Sequence, residues 1–128
     1  MKKQASEAAK RGVANKRKGN AYEREIVNDL KELGYDVATS RAESKATDDA
    51  KIDIFSKDGK LPCYIQTKYQ QSTPSWFDIS EACPLKDKPF VILWKKAVKG
   101  KKSPGQVAIV SKEFFYELLK NYKPLKTK

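Results

Sequence analysis

The sequence predicts an α/β fold, a mixed central β-sheet flanked by helices, and three observations carry that reading. An amphipathic helical stripe lies near the N-terminus, apolar runs of strand length recur through the middle, and a second helical pattern closes the chain. At 128 residues there is material for one modest core.

Residues 1–18 come first and hold Lys2, Lys3, Lys10, Arg11, Lys16, Arg17 and Lys18 against Glu7 alone, with no large apolar stripe. They read as a basic arm, frayed or loosely helical by itself. A single folded domain is expected over 19–123 and a polar tail over 124–128. The domain opens with "KGNAYEREIVNDL", where Tyr22, Ile26, Val27, Leu30 and Leu33 recur at helical spacing and form one apolar face. Gly34 is a good residue to end that helix. "YDVAT" is a short strand and "SRAESKATDDA" a polar loop. "KIDIF" and "CYIQTKY" alternate like strands, and the Asp58-Gly59 pair between them signals a hairpin. Pro74 and "SWFDISEAC" indicate a turn into a short helix. "PFVILW" reads as a buried strand, "KKAVKGKKSPG" as a basic loop and "QVAIV" as the hairpin partner of that strand. Ser111 can cap a last helix, "KEFFYELLKNY". Trp76, Phe77, Trp94, Phe114 and Phe115 are expected in the core.

A formal net charge of +11 favours an anionic partner. Nucleic acid is the first expectation and an acidic membrane surface the second. Runs such as "FVILW" are too short to span a bilayer and "MKKQASEAAKRG" lacks an apolar segment, so a soluble cytoplasmic protein is expected. Cys63 and Cys83 stand in no metal-ligand spacing and read as reduced thiols. Histidine is absent, which excludes Ser-His-Asp and Cys-His nucleophiles, His-ligated zinc and a histidine base. Any catalysis falls to carboxylates, lysines and a metal.

Glu23 is the anomaly in the first helix. It falls between Leu30 and Val27 in angle, inside the apolar stripe, and a carboxylate there is costly unless a cation meets it. If the chain turns at Asp58-Gly59, Asp53 faces Tyr64, Gln66 is a diagonal neighbour roughly 7–8 Å away, and Lys68 follows on the same side. Ile52, Ile54, Cys63 and Ile65 then point to a packed core. A helix laid over this sheet could bring Glu23 to Asp53, Gln66 and Lys68, its cation being a metal, Lys68 or both. Hard oxygen donors of this kind suit Mg²⁺, with Mn²⁺ as substitute. The chemistry that fits is metal-assisted phosphodiester hydrolysis, with Lys68 positioning water or neutralising transition-state charge. Asp48 and Asp49 read as a solvated loop that could also lend negative charge.

Asp53, Gln66 and Lys68 stand as D-x(n)-(D/E/Q)-x-K across two strands, which resembles the PD-(D/E)xK nuclease superfamily. Within it, "KRKGNAYEREIV", "LGYDVATSRAESK", "KIDIF" and "YIQTK" are similar in order and spacing to archaeal and phage Holliday junction resolvases. The resemblance implies a restriction-endonuclease-like fold. It makes Glu23, Asp53 and Gln66 metal-site residues and Lys68 catalytic, and places Arg41 and Ser44 at the scissile phosphate. Lys16, Arg17, Lys18 and Arg24 would contact branched or duplex DNA. Two matched cuts imply a homodimer, with "PFVILW" or the last helix supplying part of the interface. The resolvases usually have Glu where this chain has Gln66, whereas Mrr-type restriction nucleases share Q-x-K. A duplex endonuclease, or a DNA-binding module whose nuclease site has decayed, are therefore the competing readings.

Overall fold

The computed structural model describes residues 7–123, so the expected polar tail at 124–128 and the first six residues of the arm lie outside it. Helix α1 spans Glu7–Glu32, starting well before Lys18. Ala8, Ala9, Lys10, Arg11, Lys16 and Arg17 are strong helix formers, and they carry the helix through the expected boundary between arm and domain without a break. At its other end, Gly34 N donates to Lys31 O at 3.0 Å and Tyr35 N to Leu30 O at 3.0 Å. With Gly34 at φ +100° this is a Schellman closure, which needs the left-handed conformation that glycine adopts cheaply.

Strand β1 (Val37–Thr39) follows, and the stretch read as a polar loop instead winds into two short helices, α2 (Ser40–Glu43) and α3 (Lys45–Asp49). Ser44 separates them, and its hydroxyl caps α3 by accepting from Thr47 N at 3.2 Å. Strand β2 (Ile54–Ser56) pairs antiparallel with β1, matching Val37 to Ser56 and Thr39 to Ile54. Strand β3 (Tyr64–Gln70) pairs not with β2 but in parallel with β4 (Phe90–Lys96), and α4 (Trp76–Ala82) lies in the crossover between them. Strand β5 (Gln106–Ile109) adds antiparallel to β4, and α5 (Lys112–Asn121) closes the fold from its Ser111 cap. The result is a mixed three-stranded sheet beside an antiparallel two-stranded one, flanked by helices, an α/β arrangement compatible with a restriction-endonuclease-like fold.

The β2–β3 hairpin ladder expected from Asp58-Gly59 is thus not formed. The tight turn exists, with Gly59 at φ +72° and Asp58 Oδ1 accepting from Lys60 N at 3.0 Å. Beyond it Leu61 is pulled into the core, its N–H donates to Ser56 Oγ at 3.2 Å, and Pro62 has no N–H to offer a ladder. The strands diverge, and only Asp53 N to Ile65 O, 2.8 Å, joins the two by backbone.

Alternation along β3 and β4 divides the core between two faces. Ile65 and Val91 pack with Tyr22, Ile26 and Val27 of α1, Val37, Ile54, Leu61 and Phe114. Phe90 and Ile92 pack with Ala50, Ile52 and Cys83 under Trp76, Ile79 and Trp94. Three apolar residues depart from expectation. Leu33, Phe77 and Phe115 are 73%, 78% and 49% exposed, because the helix turns that carry them look away from either face. Ile52→Ala should therefore cost about 2–5 kcal/mol and Leu33→Ala under about 0.5 kcal/mol, measured by urea unfolding. Equal losses would mean that the stripe of α1 buries its last turn after all.

Candidate functional site

Asp53 sits between the two sheets, just before β2, and is bound on both sides. Its carbonyl accepts from Ser40 N at 2.8 Å, its N–H donates to Ile65 O, and its Oδ2 accepts from Thr67 N at 2.7 Å and Thr67 Oγ1 at 3.2 Å. The side chain thus does at the edge of β3 what a neighbouring strand would do. Its Oδ1 has no hydrogen-bond partner among the described residues. This corrects the register drawn from the hairpin: Asp53 lies against the edge at Ile65 and Thr67 and does not face Tyr64. Gln66 and Lys68 are on the Tyr64 side of β3 by alternation, while α1 packs on the Ile65 side.

Glu23 reaches this edge from α1, where its side chain is only 13% exposed. The cation that meets it in the structure is Arg41 of α2, whose Nε donates to Glu23 Oε2 at 3.0 Å. Burial still raises the Glu23 pKa above the ordinary carboxylate value; the Arg41 hydrogen bond and charge oppose this, and the charges of Asp53 and Asp48 add to it. Burial raises the Asp53 pKa as well, against the two Thr67 hydrogen bonds and the charge of Lys68, with Asp48 again adding. Asp53 is therefore the group within electrostatic reach of both Glu23 and Lys68. Asp48 and Asp49, read together from sequence, part company: Asp48 acts on both site carboxylates, whereas Asp49 is held by Lys45 at 3.2 Å.

Gln66 supplies the most telling atom. Its Oε1 is buried without a hydrogen-bond partner among the described residues. A buried orphan acceptor is costly, and such atoms mark places where an ion or water belongs. By donor type, this amide oxygen and the Glu23 and Asp53 carboxylates are the hard oxygen ligands that Mg²⁺ or Mn²⁺ takes. No three His, Cys, Asp or Glu side chains among the described residues gather into a metal-binding group. The protein's donors would thus be two carboxylates and an amide, which suits Mg²⁺, an ion that keeps several waters and takes few carboxylates.

Lys68 is half-buried and makes no ion pair or hydrogen bond among the described residues. Lys16, Arg17, Lys18 and Arg24 are exposed along α1. Ser44 is half-buried, and its hydroxyl is committed to Thr47, donating to Thr47 Oγ1 at 2.9 Å while capping α3. Sequence reasoning missed Thr67 and Ser40, two of the three residues that hold Asp53. Nothing in their types or spacing sets them apart from ordinary strand and loop residues.

Glu23 and Asp53 thus lie by the edge of β3, the strand that carries Gln66 and Lys68. A sequence profile described as archaeal Holliday junction resolvase matches residues 14–85, more than half of the chain. The chain belongs to that family, a family of endonucleases. No curated protein and no solved structure gives a significant match. No helix among the described residues is long and apolar enough to cross a membrane.

The raised carboxylate pKa values carry a stability consequence with a definite sign. Protonation favours the folded chain, so each group's contribution is fully present below the ordinary carboxylate range and is lost as pH rises through its raised value. Asp53→Asn fixes the neutral form. It should raise the Tm of the metal-free protein at neutral pH, with the gain shrinking as pH falls toward about 4. Thermal unfolding in a chelating buffer checks this; a variant less stable than its parent at pH 7 would mean that the ionised carboxylate holds Thr67 better than an amide can.

Proposed function

We propose that this protein is a divalent-metal-dependent endonuclease that resolves four-way DNA junctions by paired phosphodiester hydrolysis. The observation that supports the proposal is the pair of buried carboxylates, Glu23 and Asp53, by the edge of the strand that carries Lys68 and the unpartnered Gln66 Oε1, within the stretch matched to the resolvase family. Glu23, Asp53 and Gln66 would hold the ion, which when bound supplies Lewis-acid polarisation of the phosphodiester and a more acidic water. Asp53, held by Thr67 through one oxygen, offers the other without rearranging. Lys68, free of any internal partner among the described residues, donates to the attacking water or to a non-bridging phosphate oxygen and offsets charge as it develops. Arg41 pairs with Glu23 in the free protein, and its exposed guanidinium would be the group to meet a phosphate of the DNA. Lys16, Arg17, Lys18 and Arg24 hold the DNA backbone and set affinity without reading sequence.

Two coordinated cuts call for two related sites, and the protein acts as a homodimer. β4, read from sequence as a candidate interface strand, is the middle strand of its sheet and is unavailable. The face of α5 that exposes Phe115, Leu118, Leu119 and Tyr122 is the better candidate. Sedimentation should give a dimer, and Leu119→Glu should yield monomers that only nick. A wild-type monomer, free and junction-bound, would remove paired cutting.

Cleavage of a four-way junction beside linear duplex, with and without Mg²⁺, tests the proposal. Junction cleavage that requires the ion is expected, and Asp53→Asn and Lys68→Ala should each reduce it by about 10²-fold or more while circular dichroism and DNA binding persist. Gln66 favours one second reading, a duplex endonuclease of the Q-x-K kind, and faster cutting of linear duplex would select it. Gln66→Glu should lower the Mg²⁺ concentration needed for cleavage, since a charge replaces a dipole at the ion. Cleavage seen only in Gln66→Glu would make the natural protein a binding module.

A further inference from the structure

The lysines at 95–102 divide into two sets. Lys95 Nζ lies 3.6 Å from Glu25 Oε1 and over the rings of Tyr22 and Tyr69, and Lys96 Nζ donates to Gln71 O at 2.9 Å. These two ammoniums tie β4 to α1 and to the end of β3. Lys99, Lys101 and Lys102 form no ion pair among the described residues. They stand on a built finger, not a featureless loop. Val98 and Lys101 form an antiparallel bridge, Lys101 N donates to Val98 O at 3.1 Å, and Gly100 at φ +69° closes the turn. The base of the finger is pinned to the end of β3, where Gln70 O accepts from both Ala97 N and Trp94 Nε1 at 2.9 Å.

Between this finger, the end of β3 and α1 opens a groove of about 860 Å³, lined by Lys18, Lys99, Lys101 and Lys102 together with Gln70 and Gln71. No carboxylate lines it among the described residues. Four ammoniums around one concavity repel one another, and an anion relieves that repulsion. The groove is built on the same two elements as the candidate site. Lys18 precedes Glu23 by about 7 Å of helix rise, and Gln70 follows Lys68 by about 7 Å of strand, or roughly two base-pair steps of duplex DNA. The finger itself, at 97–105, lies outside the stretch matched to the resolvase family.

We propose that this groove takes the sugar-phosphate backbone of a duplex DNA arm as it leaves the cleavage site, with the Lys99–Lys102 finger as its outer wall. The proposal rests on the nuclease reading above. A concave surface continuous with the site's own helix and strand suits a backbone passing through that site better than it suits a flat acidic membrane.

The test compares the full-length chain with its Lys99→Ala/Lys101→Ala/Lys102→Ala variant by fluorescence anisotropy on a four-way junction over a range of salt. Each phosphate contact contributes about 0.9 to the slope of log affinity against log salt, so the variant's slope should be shallower by about 2–3. Its single-turnover cleavage should need more enzyme to saturate than the parent's. Lys31→Ala/Lys57→Ala, at the far end of α1, should leave the slope unchanged. A triple variant with the parent's slope overturns the inference while leaving the nuclease reading intact, and so does loss of binding to anionic-lipid vesicles with DNA binding unaffected. A parent protein that binds neither junction nor duplex overturns both.

Discussion

Asp53 makes four hydrogen bonds, and the architecture around the site depends on them. The two sheets share no ladder, yet the carbonyl, the amide and one carboxylate oxygen of this residue bind Ser40, Ile65 and Thr67. One residue therefore sets the distance between the β1–β2 pair and the edge of β3. It also fixes which carboxylate oxygen stays available. Catalytic groups need to be held by packing and by hydrogen bonds from their neighbours, and in the proposed function the holding residue and the chemical residue are the same.

That economy has an energetic cost. Two carboxylates are drawn out of water near each other, and each resists ionisation because of burial. Arg41 offsets part of this at Glu23, and Thr67 and Lys68 offset part of it at Asp53. Gln66 Oε1, on β3, is a further buried oxygen with no hydrogen-bond partner among the described residues. In the proposed function the buried carboxylates take a cation, and Lys68 and Arg41 take an anion. A metal ion and a phosphodiester meet both needs together, which is why the two should bind cooperatively.

Much of the fold was legible in the sequence, because periodicity and turn chemistry are local. The helix ending at Gly34, the strands around Ile65 and Ile92, the hairpin of β4 with β5 and the Ser111 cap all follow from residues close together in the chain. The β2–β3 pairing failed because a turn signal at Asp58-Gly59 says nothing of Leu61, whose burial depends on α1 and β4 far away in sequence. The same limit holds at the site. Glu23 stood out as a carboxylate inside an apolar stripe, and Gln66 and Lys68 by their spacing. Their partners did not, since Arg41 is eighteen residues from Glu23 and Thr67 fourteen from Asp53. Phe77 and Phe115 show the further limit that an aromatic residue does not declare from composition which way its helix turns.

In the proposed function Glu23, Asp53 and Gln66 share one divalent ion at β3. Anomalous diffraction from crystals soaked in Mn²⁺ tests it most directly. One dominant peak is expected about 2.0–2.3 Å from a carboxylate oxygen of Glu23, from Asp53 Oδ1 and from Gln66 Oε1, with the Arg41 guanidinium withdrawn from Glu23. A protein that takes no ion there while Arg41 keeps its bond to Glu23, or that binds Mn²⁺ only elsewhere, would contradict it.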